Sequence, residues 1–346
     1  MRELIKKSKD ILLICKTINK TNFNYHLIIN NLILLNLKIE KILIDKKNKK
    51  GNPIKISEKY LEEFKKFLKS LKFLSKFDNF EKIIPNTKNY EETHKILFQK
   101  LWTNFNFNEY KKDRINRYLY RIKINNLEKL IKKKKIIDFG CGHGNFLISM
   151  VLAGADSGVG IDYGKDALVF AKKISRKIGI DKNLKFFNRS VYKTKIKNQS
   201  FDFAIQNGVF HHLSDENLAY KEVYRVLKPN AYFWVYTDGG GGIRDLIFDM
   251  SQKILNDIDK NYVVEKINQS GITTSKKYHL GDGLNAKYRH TTVNEIKKRL
   301  KKIGFKNFRQ LNGGLSTDFD KPFYKDKYFK YKFGSGDIRL ICQKKS

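Results

Sequence analysis

"IIDFGCGHGNF" (residues 136–146) follows four consecutive lysines and sets glycines at 140, 142 and 144, between one apolar run and the next. Glycine permits positive φ and close backbone approach. A strand, then glycines, then a helix is the arrangement that brings a ligand onto a helix N-terminus. The spacing is GxGxG. A dinucleotide fingerprint would need glycine at 145, where Asn145 stands, and the phosphate-loop pattern GxxxxGK[ST] is absent. About twenty residues on, "GVGIDY" ends in Asp162, placed where a carboxylate can accept both hydroxyls of a ribose. Asp138, at the end of the first run, can face a ligand's ammonium group.

Outward from this loop the chain alternates. "KIIDFG", "SGVGIDY", "LKFFNRSV", "FDFAIQN" and "AYFWVYT" read as strands. "NFLISMVLAGA", "KDALVFAKKISRKIG" and "DENLAYKEVYRVL" read as helices between them. Strand and helix in turn predict right-handed βαβ units and a parallel sheet covered on both faces. After "TDGGGG" (237–242) the alternation pauses for about fifty residues, longer than an ordinary connection. It resumes at "TTVNEIKKRLKKIGF", where Thr292 and Glu295 make a capping box and Gly304 stands at the C-cap. Strands "FKNFRQLNGG" and "DIRLICQKK" end the series. Upstream, residues 1–85 are lysine-rich and mainly helical. Tyr60, Phe64, Phe67, Leu68, Leu71 and Leu74 form one helical stripe of the kind that belongs to a core. "IIPN" (83–86) is a break. Further helix is expected over "YEETHKILFQKLW" and over "YKKDRINRYLYRIKINNLEKLIKKKK", so that residues 86–130 read as a cap or linker before a domain at 131–346.

From about residue 110 to the end, some two-thirds of the chain, these motifs resemble class I S-adenosylmethionine-dependent methyltransferases, in particular their type 11/12-like domains. "DFGCGHG" is similar to the first motif of that family, "GIDYG" to the second and "FDFAIQNGVFHHL" to the fourth-strand motif. "EVYRVLKPN" is similar to the turn before strand five, with Asn230 where glycine is usual. The resemblance implies a Rossmann-like α/β fold: a seven-stranded, mostly parallel sheet of order 3-2-1-4-5-7-6 with the last strand antiparallel. It implies S-adenosyl-L-methionine as cofactor, held by Asp138, Gly140, Cys141, Gly142, Gly144, Asp162 and Tyr163, by Ser190 and Val191 on the adenine side, and by Asn207. Ser190 stands where the family often has an acid. The acceptor would enter over the ends of strands four and five, where His211 and His212 are the candidate bases, His212 foremost. The fifty-residue insertion, about 238–291, is expected to be a lid. It concentrates Tyr278, His279, Asp282, Asn285, Tyr288, Arg289 and His290, with "TDGGGG" as hinge and "GGLSTDFDKP" and "FGSGD" as the opposite wall.

Composition sets the alternatives. The formal charge is +36, yet only 12 of the 71 basic residues are arginine, and asparagine and isoleucine are abundant while proline falls to four. That is the pattern of AT-rich codons and a lysine-coated surface, whereas specific phosphate recognition favours the arginine fork. A nucleic-acid methyltransferase is the competing enzyme. The four prolines (Pro53, Pro85, Pro229, Pro322) are never adjacent and none precedes a cysteine, so neither an amino-directed [DNS]PP[YF] motif nor a Pro-Cys nucleophile exists. A cofactor-binding module without catalysis is the non-enzyme reading. Cys15, Cys141 and Cys342 share no CxxC spacing and the histidines show no HxxxH or HExxH, so no metal is expected. The longest apolar stretch, "LIINNLILLNLKI" (27–39), is too short for a membrane span and holds three asparagines. The sequence therefore points to a soluble, cytoplasmic enzyme acting on a small polar acceptor, such as a sugar derivative or an anionic metabolite. It leaves the oligomeric state open.

Overall fold

Five parallel strands are laid down in the order the alternation predicts: β1 (Lys135–Phe139), β2 (Ser157–Asp162), β3 (Leu184–Asn188), β4 (Phe201–Asn207) and β5 (Leu227–Asp238). β6 (Phe305–Gln310) and β7 (Asp337–Lys344) complete the sheet, which runs β3-β2-β1-β4-β5-β7-β6. β7 is antiparallel to both of its neighbours, with Asp238 opposite Asp337 and Tyr236 opposite Arg339. The order and the antiparallel strand are those expected. The computed structural model describes residues 1–77, 80–83, 107–286, 288–314, 318 and 325–346.

The chain divides into two compact units. One comprises Trp102–Gly239, Tyr288–Pro322 and Ser335–Ser346; the other Met1–Leu101, Gly240–Lys287 and Phe323–Gly334. In the sheet unit, central strands read as continuous apolar runs because both faces are covered. Ile137, Phe139, Ala204, Phe233, Val235 and Leu340 are fully buried against helices Glu216–Val226 and Val293–Ile303. The capping box at Thr292 and Glu295 is formed, and Gly304 ends its helix at φ 121°. Asn230 takes φ 60°, the left-handed conformation that asparagine tolerates best after glycine. A helical stretch packs over the loop after β1 and is broken where one long helix was expected. Phe107–Tyr110 leads into a π-helical turn, Lys111–Ile115, then Asn116–Ile124, and only a short turn, Glu128–Ile131, reaches β1. Asn126, at φ 54°, breaks the helix there.

The second unit is helical among its described residues. α1 (Arg2–Cys15), α2 (Asn22–Leu43) and α3 (Pro53–Leu74) pack with Ile243–Ile254, Lys260–Gln269 and Thr274–Asn285. α2 buries one broad face, which includes Ile28, Ile29, Leu32, Ile33, Leu35 and Ile39 of the apolar stretch at 27–39, while Leu34 on the other side is exposed. Its buried Asn36 donates to Leu32 O (2.8 Å) and Ser251 Oγ (3.3 Å). The buried ammonium of Lys332 spends its three donors on Asp326 Oδ2 (2.7 Å), Asp45 O (2.8 Å) and Asn48 Oδ1 (2.9 Å). The segment 243–285, where the alternation pauses, is thus three helices, and it groups with the N-terminal helices through their shared apolar faces. Two of the glycines of "TDGGGG" are close-packed, one within each unit. A Cβ at Gly239 would meet Gly336 O at 2.5 Å, and one at Gly242 would meet Lys332 O at 2.4 Å. The helix expected at 90–102 lies outside the described residues, as does most of "GGLSTDFDKP". All three cysteines are free and buried.

Candidate active site

The glycine loop sits between the ends of β1 and β2. Gly140 N–H and Cys141 N–H both donate to Ile161 O, at 2.7 and 3.0 Å, which locks the loop to the neighbouring strand. All three glycines have positive φ (73°, 51° and 71°), but for different reasons. A Cβ on Gly140 would lie 2.6 Å from Val209 Cγ1, and one on Gly144 would lie 3.0 Å from the Phe186 ring. A Cβ on Gly142 would meet nothing within 4 Å. Gly142 alone of the three faces open space; the other two are bare because the protein packs against them.

Asp162 Oδ2 accepts from Gly142 N–H at 2.7 Å and its Oδ1 from Gly164 N–H at 2.7 Å. The loop and Asp162, separate in sequence, are thus one constellation. Each carboxylate oxygen thus accepts one backbone N–H. Burial raises its pKa, and the N–H donors of Gly164, Gly142 and Tyr163 work against that rise. Asp138 is buried at the end of β1. Burial first, then the neighbouring Asp162 charge, push its pKa well above the usual carboxylate range, and among the described residues no cation opposes the shift. Two crowded acids beside an open glycine backbone suit a cationic ligand with vicinal hydroxyls. By that donor set the residues fit S-adenosylmethionine.

The other predicted cofactor residues fall near this constellation in unequal roles. Cys141 is buried, its sulfur packed against Gly160. Tyr163 is exposed, and its carbonyl accepts from Asn188 Nδ2 at 2.8 Å. Ser190 Oγ accepts from Tyr192 N–H at 3.2 Å, and Val191 is packed into the core. Asn207 is a strut: its Nδ2 donates to Tyr118 Oη at 2.9 Å and its Oδ1 accepts from Trp234 Nε1 at 3.2 Å.

Tyr118 and Tyr110 were missed from sequence. Tyr118 stacks on Phe146 at 4.5 Å, and Tyr110 Oη donates to His143 O at 2.7 Å. Together they clamp the segment 107–124 onto the glycine loop. The available signal was tyrosines at 110 and 118, but the π turn between them shifts the register that a regular helix would predict. Burial, with Arg114 nearby, pushes His143 down to about 3, so the imidazole in this loop is neutral.

At the ends of β4 and β5 the predicted histidines meet. His211 Nε2 and His212 Nε2 lie 3.0 Å apart, both rings buried, and Tyr288 packs at 5.3 and 4.6 Å from them. The N–H of Asp238 points at His211 Nδ1 (3.3 Å), so that nitrogen accepts. Neutral His211 then carries its proton on Nε2 and donates to His212 Nε2, which leaves His212 protonated on Nδ1. In the neutral pair, the Nε2 lone pair of His212 is therefore taken up by His211. The loop residues gathered in sequence separate: Tyr278, His279, Asp282 and Asn285 lie on helix Thr274–Asn285 of the helical unit, whereas Tyr288, Arg289 and His290 belong to the sheet unit. Arg289 N–H holds His211 O at 2.9 Å.

Residues 130–266 match the family described as "Methyltransferase domain". The chain is 31% identical to cycloartenol-C-24-methyltransferase of Arabidopsis thaliana over 109 residues, 30% of this chain and 32% of that one, so the match spans about a third of the plant protein. It is 27% identical to the ubiquinone/menaquinone biosynthesis C-methyltransferase UbiE of Rickettsia bellii over 191 residues, 52% and 72% of the two chains. Among solved structures it is similar to a SAM-dependent methyltransferase of Thermotoga maritima, at 18% identity and a TM-score of 0.43, covering 72% of this chain and 99% of that one. With the glycine loop, its paired acid and the sheet order in place, the chain carries a class I S-adenosylmethionine-dependent methyltransferase domain.

Proposed function

We propose that the chain transfers the methyl group of S-adenosylmethionine to a small-molecule acceptor by in-line displacement. The observation that supports this most directly is the 2.7 Å bond between Gly142 N–H and Asp162, which joins the two halves of the cofactor pattern at one point. Bound S-adenosylmethionine supplies a methyl group already activated on sulfonium sulfur. The protein is left with positioning the reactants and keeping water out. Asp162 would offer its remaining lone pairs to the ribose hydroxyls. Asp138 would give its buried carboxylate to the cationic end of the ligand, which offsets the burial that raises its pKa.

The acceptor's place in this reading is beside His211, His212 and Tyr288. There the His212 imidazole and the Tyr288 ring would form the wall that orients the acceptor. Proton removal by His212 would require the His211 hydrogen bond to break first. The relatives' names include sterol and quinone methyltransferases, while the histidines and tyrosine at this end favour an acceptor with at least one polar group.

Calorimetry with S-adenosylmethionine tests the cofactor site, with an Asp162→Ala variant as control. Radiolabelled methyl transfer into cell extract separated into small molecules, lipid, nucleic acid and protein tests the acceptor class. Label in the nucleic-acid or protein fraction alone would overturn the small-molecule reading. Tight cofactor binding without label in any fraction would overturn catalysis.

A further inference from the structure

The helical unit carries a surface that methyl transfer does not use. α3 changes character along its length. Its first half holds Glu58, Glu62 and Glu63, whereas the stretch from Phe64 to Phe77 holds five lysines and no acid. At the end of that stretch the apolar side chains turn outward. Phe73 is 60% exposed and Phe77 75% exposed, with rings 5.6 Å apart, and Leu74 is exposed between them. A second aromatic pair adjoins them: Phe23 and Phe80, both exposed, stack at 4.4 Å. The two pairs are tied to one end of the unit, because Asn19 Nδ2 donates to Ser75 O (3.1 Å) and Asn22 N–H to Glu81 O (2.9 Å). The exposed charges that flank them in sequence are mainly lysines, Lys16, Lys69, Lys72, Lys76 and Lys82, with Glu81 among them, while Lys20 is paired with Asp257 at 2.7 Å.

We infer that this end of the helical unit docks on an anionic lipid bilayer. Scattered exposed apolar residues are ordinary, but five large ones at one end of the unit, flanked mainly by lysines, are not. The chemistry matches a membrane interface: aromatic and aliphatic side chains enter the boundary between headgroups and acyl chains, and lysine stems lie along it with their ammonium groups at the phosphates. None of the described helices is long and apolar enough to cross a membrane, so the contact is peripheral. A second copy of this chain would bring lysine against lysine. A nucleic-acid strand is less well suited, because Phe23 and Phe80 spend a ring face on each other, Phe77 meets Phe73 edge-on, and no arginine occurs within 64–83 or 16–24. This surface does not depend on the methyl-transfer reading.

The test is flotation of the full chain with vesicles of phosphatidylcholine alone and of equal parts phosphatidylcholine and phosphatidylserine. Binding to the anionic vesicles is expected, weakening in high salt. Phe73→Ser with Phe77→Ser should weaken it about tenfold or more, through lost apolar insertion. Lys72→Gln with Lys76→Gln should weaken it by a similar factor and remove most of the serine-lipid dependence. All four positions are exposed, so an unchanged circular dichroism spectrum is the folding control. Three results would overturn the inference: no binding to either vesicle, anionic binding that the phenylalanine variant leaves unchanged, or a preference for RNA over vesicles.

Discussion

The two ends of the proposed site are built from different materials. The cofactor end, at β1 and β2, is made largely of backbone: Gly142 N–H, a positive-φ turn, and two carboxyls at strand ends. The acceptor end, at β4 and β5, is made of side chains brought together from distant parts of the chain. His211 meets Tyr288, and Asn207 meets both Tyr118 and Trp234. A backbone-built site constrains residue type severely, since only glycine takes these positive-φ turns without strain and without a side chain in the way. A side-chain-built site can be assembled from many residue types, and its partners need share no spacing.

The sharpest test of the cofactor end is Asp162→Ala. Two charge-assisted hydrogen bonds to ribose hydroxyls, at about 1.5–3 kcal/mol each, give an expected loss of about 10²- to 10⁴-fold in S-adenosylmethionine affinity. Calorimetry would show it. A loss of only a few-fold would mean that the ribose sits elsewhere.

Gly140 and Gly142 separate packing from binding inside one loop. Gly140→Ala drives a Cβ into Val209 and should cost about 2–4 kcal/mol of stability, from overpacking and the left-handed backbone combined. Much of the steric share should return in the Gly140→Ala/Val209→Ala double variant, measured by denaturant unfolding. Gly142→Ala has open space around it, so it should cost only the conformational part, about 1–2 kcal/mol, while impairing cofactor binding. If both variants behaved alike, the division of the loop into one ligand-facing and two packing glycines would be wrong.

That division marks where the sequence is legible. The βαβ alternation, the loop, Asp162 and the capped helix at Thr292 each depend on a local pattern with few physical solutions, and each stands where the pattern placed it; the strand order 3-2-1-4-5-7-6 came from the family resemblance. Their neighbours do not announce themselves. Tyr118 reaches the site through a π turn that shifts the helical register, and helices 243–285 pack onto a partner more than two hundred residues earlier. Neither relation leaves a periodic trace. The histidine pair was visible as adjacent residues, but its tautomer order depends on the N–H of Asp238, 27 residues away.

At the acceptor end, His212→Ala should lower kcat by about 10- to 100-fold and leave cofactor affinity unchanged, the range for losing one positioned polar group. The pH profile decides its role. A positioning residue gives no new limb in kcat near neutrality, whereas a general base gives one that disappears in the variant.

The raised pKa of Asp138 makes a smaller, signed prediction for the cofactor end. In the free protein its carboxyl stays protonated to higher pH than in the unfolded chain, so stability falls as pH rises above the ordinary carboxylate range. A cationic ligand needs the carboxylate, so S-adenosylmethionine affinity should rise over the same interval, by at most about tenfold per pH unit with one proton released. Asp138→Asn should flatten both trends. An affinity that fell with pH would show that the ligand's cation lies away from Asp138.

Tyr118→Phe should have the least effect and is the most discriminating across the two ends. It deletes the hydroxyl that accepts from Asn207 and keeps the ring stacked on Phe146, so the expected cost is about 1 kcal/mol, or roughly fivefold, in whichever step needs that strut. If the strut serves the cofactor end, the loss appears in calorimetric affinity. If it serves the acceptor end, affinity is unchanged and kcat/KM falls. Because Asn207 is also held by Trp234 Nε1, it should keep its place in the variant, so an effect larger than about tenfold would mean that the Tyr118 hydroxyl touches a ligand directly.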